Sequence, residues 1–173
     1  MKKILLFLAV IFSLYVNGQQ TNVERQKSNG ESLKAKVECG IIPTPQNVEI
    51  YDSTNYYDLD KSCVIIDSDN AEISKMINSF KNDIKDITSL DLDISKKKKK
   101  TNIVFELSNE TFENQQAYKI DINKKNINIS APTPQGLFYG AQSLKQLIRY
   151  QLLTENNLNI PCYEIFDYPS LEY

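Results

Sequence analysis

Residues 117–148, AYKIDINKKNINISAPTPQGLFYGAQSLKQLI, change period once, and that change limits the possible folds more than any other feature of the chain. In the first half Tyr118, Ile120 and Ile122 alternate with polar residues, as do Ile127 and Ile129 beyond a polar NKKN break. Two runs of period two joined by a short polar turn predict an antiparallel hairpin with one buried face. Asn123 or Asn126 is suited to the positive φ such turns often use. In the second half the spacing becomes helical. Leu137, Ala141, Leu144 and Ile148 fall on one face with Phe138 and Leu147 beside them, Thr133 is placed to cap the helix, and Pro134 fits its first position. Gly136 and Gly140 then stand out, because each weakens a helix by about 1 kcal/mol relative to alanine. Four residues apart, they clear one patch of the first two turns. Either a strand crossing beneath or a neighbouring domain must approach there.

The rest of the chain supplies partners for this unit. IIPTPQNVEIYD opens the domain. Pro43 and Pro45 interrupt regular pairing, after which Val48 and Ile50 alternate with Asn47 and Glu49 as in a strand. YDSTNYYDLDKS reads as a tyrosine-rich turn or loop, and CVIID (63–67) as a short buried strand. Ile73, Met76, Ile77, Phe80, Ile84 and Ile87 recur at steps of three and four, predicting an amphipathic helix over 70–89 capped near Asp69 or Asn70. NIVFEL (102–107) is a further strand, and Ile160, Cys162 and Ile165 lie in a final extended stretch. Strand, strand, helix, strand, strand, strand, helix, strand predicts a two-layer α+β fold: an antiparallel-rich sheet with two helices on one face, the other face left to solvent or a partner domain.

The ends read differently. Lys2 and Lys3 precede an apolar run from Ile4 to Val16, and Val16-Asn17-Gly18 offers a cleavage site before Gln19. That is the pattern of a secretory signal peptide, too short to span a bilayer. The expected organisation is a signal peptide at 1–18, a polar flexible leader at 19–40, the α+β domain at 41–166 and the start of a linker at 167–173. The protein is expected to be exported to a periplasmic, cell-surface or secreted location, with no membrane span after cleavage. Loss of two lysines takes the net charge from −2 to about −4, which gives no electrostatic case for nucleic acid. Lys96–Lys100 is a run of five lysines without interleaved aromatics, read as a solvated loop rather than an anionic-polymer or membrane contact. Cys39, Cys63 and Cys162 allow at most one internal bridge and fit no zinc spacing; they read as small buried residues.

No catalytic constellation is visible. Histidine is absent from the chain, which removes the usual general base, and Ser32, Ser68 and Ser143 therefore cannot belong to a Ser-His-Asp triad. The carboxylate pairs Asp58/Asp60, Asp67/Asp69 and Asp91/Asp93 sit in polar stretches without calcium-loop spacing and read as solvated turns. GLFYG lacks the spacing of a phosphate loop. NET (109–111) and NIS (128–130) match a glycosylation sequon by composition alone. Catalytic, cofactor-binding and metal-binding residues are therefore expected to be none, and no cofactor is expected.

Three stretches taken in order, IIPTPQNVEI, AYKIDINKKNINISAPTPQGLFYGAQSLKQLI and IPCYEIFDYPSLEY, resemble the non-catalytic N-terminal domain of glycoside hydrolase family 20, the β-N-acetylhexosaminidases. The residues that carry the resemblance are Gly136, Tyr139, Gly140, Gln142, Leu144 and Leu147, with Ile160, Pro161, Ile165, Asp167 and Pro169 at the close. The resemblance implies an antiparallel sheet with two helices, packed against a C-terminal (β/α)8 barrel that holds the active site and meets the glycan. It further implies that the substrate's own acetamido group is the nucleophile, an exception to the two-carboxylate scheme. The Asp-Glu pair that serves this chemistry belongs to the barrel, and no residue here corresponds to it. The chain is expected to be truncated before that barrel and to be inactive alone. The alternatives are a stand-alone glycan-binding module built on the ten tyrosines, or an interaction module that complements a separately encoded barrel.

Overall fold

The structure, a computed structural model, describes residues 39–60, 63–66, 68–112 and 114–169. The signal peptide, nearly all of the leader, Ser32, Asp67 and the last four residues lie outside the described residues. Seven strands and two helices follow in the order β1 (Asn47–Asp58), β2 (Cys63–Ile66), α1 (Ala71–Thr88), β3 (Asp93–Ser95), β4 (Thr101–Leu107), β5 (Tyr118–Ile122), β6 (Asn126–Ala131), α2 (Pro134–Glu155) and β7 (Asn159–Asp167). The strands form one sheet in the order β1-β7-β5-β6-β4-β2-β3.

The α+β expectation holds, and the sheet divides into two halves. β1/β7, β7/β5 and β5/β6 are antiparallel, whereas β6/β4, β4/β2 and β2/β3 are parallel. The first and last strands of the domain pair with each other, so the sheet is closed in sequence at one edge. Both helices read from the sequence form. Asn70 caps α1 through its side-chain oxygen, which accepts from the amides of Glu72 and Ile73, and Thr133 caps α2 by accepting from the amide of Gly136 with Pro134 in the first turn. Each ends on a left-handed residue, Ser89 at φ 62° and Asn156 at φ 51°.

Three expectations need correction. The stretch read as a loop at 51–62 is largely strand: β1 runs through to Asp58, with register shifts between Ile50 and Asp52 and between Asp52 and Tyr56 that break its alternation. Tyr57 emerges from the second irregularity fully buried. The short edge strand β3 was hidden in the Asp-rich DLDIS segment, where parallel pairing with β2 decides its conformation. Neither Asn123 nor Asn126 adopts positive φ. Instead the Asn123 side-chain oxygen accepts from the amides of Lys125 and Asn126, both at 3.0 Å, and closes the hairpin without left-handed backbone.

The core lies between the helices and the sheet. Ile73, Ile77, Phe80 and Ile84 of α1 are buried, with Phe80 edge-on to Phe105 of β4 at 5.2 Å. α2 buries Leu137, Ala141, Leu144, Leu147 and Ile148 over Ile127, Ile129 and Ile120, while Phe138 turns out to be half exposed. The three cysteines are buried, and no disulfide bridge joins them. Burial pushes the Cys63 thiol up to about 11, and its sulfur lies 2.9 Å from the Tyr57 hydroxyl.

A candidate interaction groove where β7 ends

A groove of about 480 Å³ opens where β7 ends. Its walls come from four parts of the chain: the segment 41–46 that leads into β1, Gln116 and Tyr118 at the start of β5, Tyr139, Gln142, Ser143 and Gln146 along α2, and Asp167 at the end of β7 with Tyr168 and Pro169 beyond it. Asp167 and Tyr118 are register partners on neighbouring strands. That register sends both side chains toward α2.

A hydrogen-bond chain ties these walls together. The Tyr118 hydroxyl donates to Asp167 Oδ2 at 2.9 Å, and the phenol oxygen lies 2.5 Å from Ser143 Oγ. A phenol has a single proton, so Ser143 is the donor in the second bond. The amide of Gln46 donates to Asp167 Oδ1 at 3.2 Å, and the amide of Ile42 donates to Gln146 Oε1 at 2.8 Å. The peptide bond between Ile42 and Pro43 is cis. Burial raises the Tyr118 pKa well above its ordinary value, with the Asp167 charge adding to it against the Ser143 bond. Tyr118 is thus a fixed donor rather than an acid. The groove has no histidine and no carboxylate pair. Its chemistry is that of a recognition surface: side-chain amides and aromatic rings around an exposed Ile42, 80% accessible.

The residues singled out in the sequence fall into two sets, with the half-buried Pro161 of β7 in neither. Gly136, Gly140, Leu144, Leu147, Ile160 and Ile165 are buried in the interior. Tyr139, Gln142, Asp167 and Pro169 line the groove. The two glycines face the sheet of their own domain. A Cβ at Gly136 would sit 2.5 Å from the Ala117 carbonyl oxygen and 2.8 Å from Ala131 Cβ, and one at Gly140 would sit 2.5 Å from Ile129 Cγ2. Strands β5 and β6 therefore require them, and of the two possibilities the crossing strand is the one realised. The sequence reading missed Tyr118, which looks like an ordinary inward residue of a strand, and Gln46. Ser143 was considered only as a nucleophile, although its place three residues after Gly140 puts it on the buried face.

The other candidates do not converge. Lys96–Lys100 are exposed, with Lys96 paired to Asp69 at 2.5 Å and Lys99 to Asp93 at 3.4 Å. Asp91 is held by Lys85 and Lys81 at 2.8 and 3.0 Å. Among the described residues no group of three His, Cys, Asp or Glu side chains could hold a metal, and no helix is long and apolar enough to cross a membrane.

Comparison with known proteins gives a consistent picture. Residues 38–168 match the family described as glycosyl hydrolase family 20, domain 2. The fold is similar to part of a family 20 β-N-acetylhexosaminidase from Streptomyces coelicolor A3(2), at 21% identity and a TM-score of 0.64, covering 75% of this chain and 26% of that one. It is similar to an exo-β-N-acetylglucosaminidase from Vibrio harveyi at 22% identity and a TM-score of 0.61, covering 86% and 22%. A β-N-acetylhexosaminidase from Bacteroides fragilis matches at 22% identity and a TM-score of 0.57, covering 78% and 26%. No curated protein matches. The chain spans about a quarter of the length of these solved proteins. At such identities the likeness carries the fold, and the family match over most of the described residues carries membership: this chain belongs to glycosyl hydrolase family 20 as its domain 2, the accessory domain rather than the catalytic one.

Proposed function

We propose that the chain serves as the N-terminal accessory domain of an exported β-N-acetylhexosaminidase, whose (β/α)8 barrel removes terminal N-acetylhexosamine from glycans. In this reading the domain does no chemistry. It steadies the barrel and sets its position through the groove at the end of β7. One observation carries the proposal: Tyr139, Gln142, Asp167 and Pro169, four of the residues by which the chain resembles the family, line a single groove at the point where the last strand leaves the sheet. Core packing accounts for the glycines and leucines of that set, whereas Tyr139, only partly packed on the core, Gln142, Asp167 and Pro169 all present atoms to the groove. Amide side chains and rings suit a neighbouring protein surface, and a covalently linked neighbour binds at high effective concentration. The basic and apolar residues at 2–16 support export to a periplasmic, cell-surface or secreted location.

The test has two parts. The purified 173-residue chain is assayed on an aryl N-acetyl-β-glucosaminide, and the gene is read beyond codon 173. No turnover by the chain, together with an open frame that encodes an Asp-Glu doublet, is the expected result. Turnover at an enzymatic rate, or a stop followed by unrelated coding sequence, overturns the proposal. N-terminal sequencing of the protein recovered from its host is expected to begin at Gln19, and an intact Met1 would remove the export part.

A further inference from the structure

The face of the sheet turned away from the helices carries a polar strip along β5, β6 and β7. Lys119 and Asp121 of β5, Asn128 and Ser130 of β6 and Glu164 of β7 alternate with buried residues and leave that face wet. At the end of β7 three aromatic rings break the pattern. Phe112, from the segment joining β4 to β5, stacks on Phe166 with ring planes 22° apart and centroids 6.2 Å apart, and Tyr168 meets Phe166 edge-on at 5.9 Å. Phe166 is the register partner of Lys119, whose ammonium pairs with Glu164 at 3.0 Å. Together with Glu110, Thr111 and Asn114 these residues surround a groove of about 410 Å³, within the size range of small-ligand sites.

We propose that this groove is a saccharide-binding site. Phe112, Phe166 and Tyr168 give the groove an apolar wall, against which the C–H face of a pyranose can pack. The ligand's hydroxyls need both donors and acceptors at the rim, which Lys119, Asn114, Thr111 and Glu110 supply. Lys119 is already paired with Glu164 and Glu110 adds a further negative charge, so the rim offers no unpaired cation to an anion and suits a neutral polyhydroxylated ligand. Tyr168 also lines the groove at the end of β7, so the site adjoins the surface assigned above to the barrel. The choice of an N-acetylglucosamine oligomer as ligand rests on the accessory-domain reading; the ring-and-rim geometry does not.

The experiment is an amide NMR titration of the full chain with chitotetraose, repeated with tetragalacturonate. Binding with a Kd on the order of 1 mM, and shifts centred on residues 110–114 and 166–168, is expected. Tyr168→Ala should weaken it about tenfold, as should Phe112→Ala, whereas Tyr168→Phe should retain it. Tyr56→Ala, at an exposed tyrosine outside the groove, should leave it unchanged. An unchanged amide spectrum away from the site shows that each variant is folded. No shifts in these segments at about 20 mM sugar overturns the site, as does equal binding by Tyr168→Ala. Tighter binding of the anionic oligomer overturns the neutral-ligand assignment. None of these results touches the accessory reading, which stands or falls on the gene and on turnover.

Discussion

The two halves of the sheet solve the same packing problem in opposite ways. The parallel half, β6, β4, β2 and β3, receives α1 through large side chains: Ile73, Ile77, Phe80 and Ile84 fill the space above it. The antiparallel half, β1, β7, β5 and β6, receives α2 at its N-terminal end through the absence of side chains, because Gly136 and Gly140 bring the helix backbone against Ala117, Ala131 and Ile129. One interface is held by volume that must be present and the other by volume that must be absent. The second half also carries the groove and the hydrogen-bond chain through Asp167. A close, stiff contact between α2 and β5 is what places Ser143 within bonding reach of Tyr118.

The largest test of this contrast is Phe80→Ala, which removes a fully buried ring from the parallel half and should destabilise the domain by about 4 kcal/mol in urea unfolding. The mirror experiment adds a methyl group on the other side. Gly136→Ala gains about 1 kcal/mol of helix propensity yet should still lower stability by about 2 kcal/mol, since its Cβ meets a backbone oxygen that cannot move aside. A stabilised Gly136→Ala protein would erase the distinction between the halves. Tyr118→Phe should follow at about 1–2 kcal/mol, because it removes the donor to Asp167 and leaves Ser143 without its acceptor. The pH dependence sharpens this step. The folded Tyr118 pKa is raised, so its contribution is complete below the ordinary value of 10.0 and is lost as pH rises beyond it. Wild type should therefore lose stability above about pH 10 more steeply than Tyr118→Phe.

The acid side separates the halves more gently. Glu164 has its pKa lowered by the Tyr51 hydrogen bond and by Lys119, so its contribution is present above 4.5 and fades as pH falls through the depressed folded value. Glu164→Gln should flatten the acid limb of the stability curve slightly. Smallest of all, replacing Lys97 and Lys98 by alanine should leave the unfolding midpoint unchanged within error, since both are exposed at the parallel edge.

The two helices, their caps and the hairpin were legible because each rests on contacts within about a turn of itself: Asn70 to Glu72 and Ile73, Thr133 to Gly136, Asn123 to Asn126. β3 and the far part of β1 were not legible. Asp93–Ser95 becomes a strand only by pairing with β2, and Tyr57 is carried inward only because irregularities in the β1/β7 ladder reset its facing. For the groove, Tyr139, Gln142, Asp167 and Pro169 were marked in the sequence by resemblance. Their convergence depends on a ladder between Tyr118 and Asp167, 49 residues apart, and on the Gln46 amide reaching Asp167 across 121 residues.

The amino-acid order alone settled the α+β layering, the placement of both helices and the need for a close approach at Gly136 and Gly140, since periodicity and capping act over a few residues and survive any tertiary arrangement. Only the folded chain decided what makes that approach, which strands run parallel, and that β1 pairs with β7 to form one edge of the sheet beside the groove. Those outcomes depend on backbone hydrogen bonds between segments distant in sequence, and such bonds leave no mark on the residues that make them.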